Sequence, residues 1–314
     1  MPEARSKFLL RKQNRGDPQA MTTLEELYCC VDDFCQKFMP MWEQQLIANN
    51  QLKRHRATSL SLSEVITILI LFHMSHYRHF KGFYTEYVQP FLTAEFPGLV
   101  SYNRIITLKK SAIIPLCAFL SSRKVKSQGI AFIDSTKIAV CHNARIPRNQ
   151  VFDGVAKRGK TSTGWFYGFK LHLIITDCGE IVSVKLTPGN TDDREPVKEL
   201  VKGLSGHLYG DKGYLSQALC DELKEEGITL ITNVRRNMKA KFLSLWDKVM
   251  LRKRFLIETV NDQLKNISQI EHSRHRSIVG FLLEVVSGLI AYTFQPKKPS
   301  LGLRAQEIAM LKQS

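Results

Sequence analysis

The chain has 314 residues, 44% of them hydrophobic, which is enough to bury a sizeable core and excludes general disorder. Lys and Arg outnumber Asp and Glu by 45 to 29, a formal net charge of +16. Such an excess favours a polyanionic partner, because cations that neutralise phosphates gain affinity by releasing condensed counterions. The seven cysteines (Cys29, Cys30, Cys35, Cys117, Cys141, Cys178, Cys220) are scattered and form no CxxC pair. That excludes a disulfide framework and a Cys-rich structural zinc site, and it suits a reducing, cytoplasmic compartment.

Residues 1–21 carry several charges and no apolar run of signal-peptide length, and read as a basic arm. From Thr22 the apolar spacing is helical, with Leu24, Leu27, Tyr28 and Val31 on one face behind a Thr23-to-Glu26 capping box. A second box, Ser61 to Glu64, leads into the apolar run Val65 to Phe72. Tyr102 to Phe119 reads as a further helix carrying Arg104, Lys109 and Lys110. Residues 22–125 are therefore expected to form an α-helical, DNA-binding domain. His73, His76 and His79 recur every third residue, but no fourth ligand for a tetrahedral zinc is evident.

The texture changes near Gly129. Ile130 to Asp134 is a short apolar run, expected as a buried strand ending at the acid. Phe166 to Thr176 and Ile181 to Leu186 read as strands joined by a turn at Asp177-Cys178-Gly179-Glu180. Pro196 to Leu204 reads as a helix, His207 to Asp211 as a strand, Ser216 to Glu226 as a helix and Ile228 to Val234 as a strand. A single long helix is expected over Asp247 to Ile267. The last apolar stretch, Ile278 to Phe294, is short for a membrane span and contains Glu284; a buried helix is expected, with no membrane partner. The order fits a mixed sheet with helices on its faces, in a domain spanning 126–295, followed by a tail at 296–314.

Asp134 and Asp211 each follow an apolar, strand-like run, where an acid can project into a site at the strand ends. Paired hard cations need carboxylate oxygens, so these two Asp are candidate metal ligands; an ordinary helix or turn cap is the competing reading for each. On a helix from Val249, 100° steps put Val249, Leu256, Val260, Leu264 and Ile267 on a packing stripe. The same steps set Arg254, Glu258, Asn261 and Lys265 on the opposite side. Spacing alone allows a solvated polar face with an ordinary Arg254–Glu258 pair.

Taken together, Asp134, the segment Tyr209-Gly210-Asp211-Lys212-Gly213-Tyr214 and the series Arg254, Glu258, Lys265 resemble the DDE transposases of bacterial insertion sequences. The resemblance covers about Gly129 to Ile290. It implies an RNase H-like α/β core behind the helical N-terminal domain, and two Mg²⁺ ions, for which Mn²⁺ can substitute, held by Asp134, Asp211 and Glu258. It also implies cleavage at transposon ends and attack of the freed 3′-OH on target DNA, with Arg254 and Lys265 at phosphates. The expected partners are double-stranded DNA and, when bound to it, at least one further copy of the chain, in the nucleoid. The family signature has Tyr three residues before the Arg; here that position is Leu251.

Other candidates are less specific. Lys157, Arg158 and Lys160 read as a basic loop with Trp165 soon after, able to track a DNA backbone or stack on a base, or else a solvated loop and a core Trp. Asp193, in Asn190-Thr191-Asp192-Asp193, resembles a family segment near the site, though a helix cap explains it as well. Lys170 and His172 share a strand face, and Arg274-His275-Arg276 is either a DNA-facing turn or a charged helix start. Two functions compete with transposition: a stand-alone RNase H-like nuclease, and a DNA-binding protein that keeps a transposase core without its chemistry.

Overall fold

The computed structural model describes residues 23–49, 58–127, 129–162, 164–233, 243–271 and 275–302. The basic arm at 1–21, the end of the tail from 303, and Arg274 lie outside these. The described residues divide into two compact units, one within 1–123 and 266–296, the other within 124–265 and 297–314.

The first unit is helical. Helix α1 (Leu24–Ala48) and helix α2 (Leu62–Met74) both open on the capping boxes expected of them. The Thr23 and Ser61 hydroxyls accept from the backbone three residues on, and Glu26 and Glu64 return the bond. Each such cap is worth about 1 kcal/mol. Helix α3 spans 80–91 with a π-helical middle at Phe83–Val88. Helix α4 (Tyr102–Arg123) passes through a 3₁₀ turn at Lys109–Ala112. Helix α9 (Ile278–Thr293) packs on α4 and α2. This corrects the expected 126–295 boundary: α9 buries Phe281, Leu283, Leu289 and Ile290 among the N-terminal helices instead of joining the sheet domain.

Two polar residues of this unit also depart from expectation. Lys109 is buried, its ammonium 4.6 Å from the Phe80 ring centroid and facing the charge of Glu284, so it is unavailable to DNA. His73 is buried too, and its Nδ1 donates to the Ser268 carbonyl at 2.6 Å. His76 takes a left-handed backbone (φ 60°) and His79 precedes α3. The three histidines do not form a metal group, and no group of three His, Cys, Asp or Glu disposed to hold a metal occurs among the described residues.

The described residues of the second unit form six strands: β1 (Ile130–Cys141), β2 (Lys157–Thr161), β3 (Gly164–Thr176), β4 (Ile181–Pro188), β5 (Gly206–Gly210) and β6 (Ile228–Thr232). The main order is β4–β3–β1–β5–β6, with β3 antiparallel to β1 and β4, and β1, β5 and β6 parallel. This is the mixed order of an RNase H-like sheet. Strand β2 pairs with the first part of β3, on the edge of β3 away from β1, so the segment expected as a basic loop is a strand. The turn after β3 forms as expected, with Gly179 at φ 71°.

Alternation sorts the sheet's faces. Ala131, Ile133, Leu208, Ile228 and Leu230 point to one side and bury with Leu200 and Val201 of helix α5 (Val197–Leu200) and its following turn. Leu219 and Leu223 of helix α6 (Gln217–Glu225) complete that core. Helix α5 is only one turn, shorter than the Pro196–Leu204 expected.

Phe132 and Tyr209 point to the other side, where helices α7 (Leu245–Lys253) and α8 (Phe255–Asn266) cover the sheet. Tyr209 donates from its hydroxyl to Asp247 of α7 at 3.0 Å. The single long helix expected over Asp247–Ile267 is broken at Arg254. The break resets the helical phase, so Trp246, Met250 and Leu251 bury from α7, and Leu256, Ile257, Val260 and Leu264 from α8. Val249 and Ile267, expected on the buried stripe, are half-buried and exposed respectively. Burying each large apolar side chain of α8 contributes roughly 1.5–3 kcal/mol, which fixes the helix over the sheet.

Candidate active site

The strands bring two acids together by register. β1 and β5 are parallel, with Ile130 beside His207, Ala131 beside Leu208 and Phe132 beside Tyr209. Continued by two residues, the register sets Asp134 beside Asp211, on strands about 5 Å apart and on the face shared by Phe132 and Tyr209. β1 was expected to end at Asp134 but runs on to Cys141, so Asp134 marks the point where its parallel partner stops. Asp211 remains extended (φ −79°, ψ 179°), and its Oδ1 also accepts from the Gly213 amide at 2.7 Å. The cap reading thus holds for one oxygen of Asp211 without removing the residue from the cluster.

Helix α8 supplies the rest. Asn261 donates from Nδ2 to Asp134 Oδ2 at 3.2 Å, and Arg254 Nη1 lies 3.7 Å from Asp134 Oδ1. Arg254 Nη2 donates to Glu258 Oε1 at 2.7 Å. Asn261, expected on the polar side of the helix, is therefore a buried contact of the strand acid (5% exposed), a role spacing alone could not show. Lys265 lies two turns beyond Glu258 and is half-buried.

The electrostatics follow from this crowding. The Asp134 carboxyl is pushed up to about 7, first by burial and then by the charges of Asp211 and Glu258, against the pull of Arg254. Three carboxylates that resist sharing a site offer hard oxygen donors to a divalent cation, which would relieve their repulsion. Glu258 meanwhile spends one oxygen on Arg254, and the three acids are not drawn together as a closed ligand set.

Residues 124–278 match the family described as "Transposase DDE domain". Over just under half of its length the chain is thus similar to a transposase DDE domain. Among solved structures, that of a piggyBac transposase synaptic complex with hairpin DNA is similar over 61% of this chain at 16% identity, with a TM-score of 0.36. The chain spans about half the length of that protein, 47% of it. Compared by sequence with curated proteins, the chain has no match.

Behind the acids, the sheet unit carries a second polar cluster on the sheet's opposite face. Ser135 donates to Asp193 Oδ1 at 2.8 Å, and Lys170 donates to the same oxygen at 3.0 Å. His172 Nε2 lies 2.8 Å from the Thr187 hydroxyl and its Nδ1 3.9 Å from Asp193; burial lowers its pKa to about 4. Tyr214 is buried with its hydroxyl pushed well above its ordinary pKa by burial and by Asp134, Asp193 and Asp211. Asp193 does not cap the next helix: Pro196 precedes α5, without a side-chain cap. Ser135 and Tyr214 carried no sequence signal beyond their adjacency to Asp134 and Asp211.

The remaining candidates of the sheet unit lie away from the acids. Lys157, Arg158 and Lys160 are exposed on β2, and Trp165, at the start of β3, is 62% exposed and so not a core residue. The Lys160 ammonium stands 5.6 Å from the Trp165 ring centroid.

Proposed function

We propose that this chain is a DDE transposase that cleaves DNA at transposon ends and joins the freed 3′-OH to target DNA. The observation that carries the reading is the β1–β5 register which, continued by two residues, brings Asp134 level with Asp211 beneath a helix bearing Arg254, Glu258 and Asn261. Asp134, Asp211 and Glu258 would hold two divalent ions, Mg²⁺ or in its place Mn²⁺. When bound, such ions ease deprotonation of the attacking oxygen and stabilise the leaving one.

The protein's own groups have separable tasks. In the first step a water oxygen forms a bond to phosphorus, the bond to the 3′-oxygen breaks, and that oxygen leaves as a hydroxyl. In the second, the same 3′-oxygen attacks a target phosphorus and expels the target's 3′-oxygen. Arg254 suits the phosphate beside the reacting atom because its fork can meet two oxygens, and Lys265 offers a point charge further along the helix. Asn261 and Ser135 hold Asp134 from its two sides, the first through the carboxylate, the second through the strand.

In a divalent-dependent nicking assay on an end-labelled DNA, Asp134→Asn, Asp211→Asn and Glu258→Gln should each abolish cleavage while leaving DNA binding in place. Full activity in any of them would overturn the assignment. Strand transfer from a pre-nicked 3′-OH end separates the transposase from a stand-alone nuclease, which would give no joined product. A protein that binds ends without nicking them would be the non-catalytic derivative.

The helical unit is proposed to read the transposon ends, through exposed cations such as Arg104 and Lys110. Arg104→Ala with Lys110→Ala should weaken end binding, and unchanged end discrimination would count against this role. A second copy of the chain is proposed for the DNA-bound state, checked by the mass of the complex in solution.

A further inference from the structure

The β1–β3 ribbon continues well past the acids. β5 ends at Gly210, level with the acids, whereas β1 runs to Cys141 and β3 starts at Gly164, where β2 pairs alongside. The pairing register orients this extension. Asp134 stands opposite Leu173, and the register shift at Ala139–Cys141 adds its extra residue to β1 and none to β3, so odd-numbered β3 residues share the face of Asp134 down to Trp165. On β2, Lys160 pairs with Trp165 and Arg158 with Tyr167, which puts Arg158 and Lys160 on that face as well. Lys157, opposite Gly168, turns to the other side.

The ribbon's charge is one-sided. Residues 135–176 contain seven Lys or Arg and a single acid, Asp153. At the far end Arg145 and Arg148, in the 3₁₀ turn Asn143–Arg148, are exposed, and Asn143 bonds the Trp165 carbonyl at 2.9 Å. An exposed indole beside an ammonium, in a stretch almost free of carboxylates, has the composition of a surface for phosphates and bases. Besides Trp165, only Val151 and Val155 are large exposed apolar side chains among the described residues of this stretch, little for an apolar protein partner to bury.

We propose that Arg158, Lys160 and Trp165 form a second contact face for double-stranded DNA, in line with the acids and on the same side of the ribbon. Eight residues of β3 separate Trp165 from Leu173, so the face lies about 26 Å from the acids along the strand. At 3.4 Å per step, DNA lying along the ribbon meets it about eight base pairs from the phosphate at the acids. The inference rests on the proposed reaction only for where that phosphate sits.

The test uses the full chain and a random-sequence duplex long enough to span both sites. Arg158→Ala with Lys160→Ala should make the plot of log binding constant against log salt shallower by about 2, since each phosphate contact contributes about 0.9. A hydroxyl-radical footprint of that variant should lose protection about eight base pairs from the nick while keeping it at the nick itself. An unchanged slope and footprint, or protection lost evenly along the duplex, would overturn the proposal. Trp165→Phe is a milder probe that leaves the hairpin charges alone. DNA should quench tryptophan emission in the unaltered protein and much less in this variant, and equal quenching in both would also overturn it. If the acids fail as catalysts, nicking is lost from consideration but the slope and the quenching still report on the hairpin.

Discussion

Asn261 of α8 hydrogen-bonds Asp134 Oδ2 at 3.2 Å, linking a helix residue to a strand acid 127 positions away in the chain. Both ends of this bond are largely shielded, and the acid's other oxygen faces Arg254 at 3.7 Å. Asn261→Ala should therefore slow single-turnover nicking about ten-fold, the worth of one hydrogen bond to a charged group, about 1.4 kcal/mol. Duplex affinity should stay within about two-fold, since the amide points at the acid and away from phosphate. A full nicking rate in a variant with normal melting would show that the bond does not position the carboxylate.

Arg254 divides its guanidinium between two of the acids, and this gives opposite signs to two measurements. Nη2 holds one oxygen of Glu258 while Nη1 faces Asp134, so the guanidinium sits among groups that would ligate the metal. Arg254→Ala should tighten Mn²⁺ binding to the DNA-free protein, measured by calorimetry, because it removes a competing cation from the site. The same change should lower nicking by about ten-fold or more through loss of a phosphate contact. Weaker Mn²⁺ binding in Arg254→Ala would contradict the competition.

Asp193 holds Ser135 and Lys170 on the sheet's far face, with Lys170 only 13% exposed. Asp193→Ala leaves that ammonium half-stranded and should cost about 2 kcal/mol, a shift of roughly 4–8 °C in a melt. Asp193→Asn keeps an acceptor and should cost less than half of that. Equal melting of the two variants would place the stabilisation elsewhere.

Acid should weaken both units through buried histidines. His73 in the helical unit and His172 behind the acids are each depressed to about 4 by burial, below the ordinary 6.5. Below pH 6.5 the unfolded chain takes up protons that these folded sites refuse. Their stabilisation is thus complete above 6.5 and is lost as the pH falls toward 4, by up to roughly 3 kcal/mol per residue. Denaturant melts between pH 7 and 4 should show this loss, and His73→Phe should flatten the part due to the helical unit. A flat profile in the unaltered protein would contradict it.

Local signals were readable where chemistry is local. The capping boxes at Thr23 and Ser61, the β3–β4 turn and the acids after apolar runs all rest on residues close in sequence. What escaped depends on distant partners. β1 outruns Asp134 because β3 supplies a long antiparallel neighbour, and nothing within 135–141 announces it.

Arg254 breaks the helix without Pro or Gly to mark it, and the change of phase is what turned Asn261 inward. The spacing that puts Lys109 on a helix beside Arg104 and Lys110 cannot reveal that Phe80 and Glu284 wait on it. The Lys157–Lys160 segment looked like a loop because of Gly159. A Cβ there would meet the Gly189 carbonyl oxygen at 2.1 Å, so the glycine serves close strand packing instead of a turn.

The break at Arg254 also separates the cluster in time. Strands β1 to β6 precede residue 233, whereas Glu258 and Asn261 follow it. At about 5–20 residues per second of synthesis, the 124 residues from Asp134 to Glu258 take about 6–25 s to emerge. A nascent chain can pair its strands and set two aspartates side by side well before the glutamate exists. On the proposed reading, the power to cut DNA arrives only when the last helix pair docks, so unfinished chains carry the scaffold of the enzyme without its chemistry.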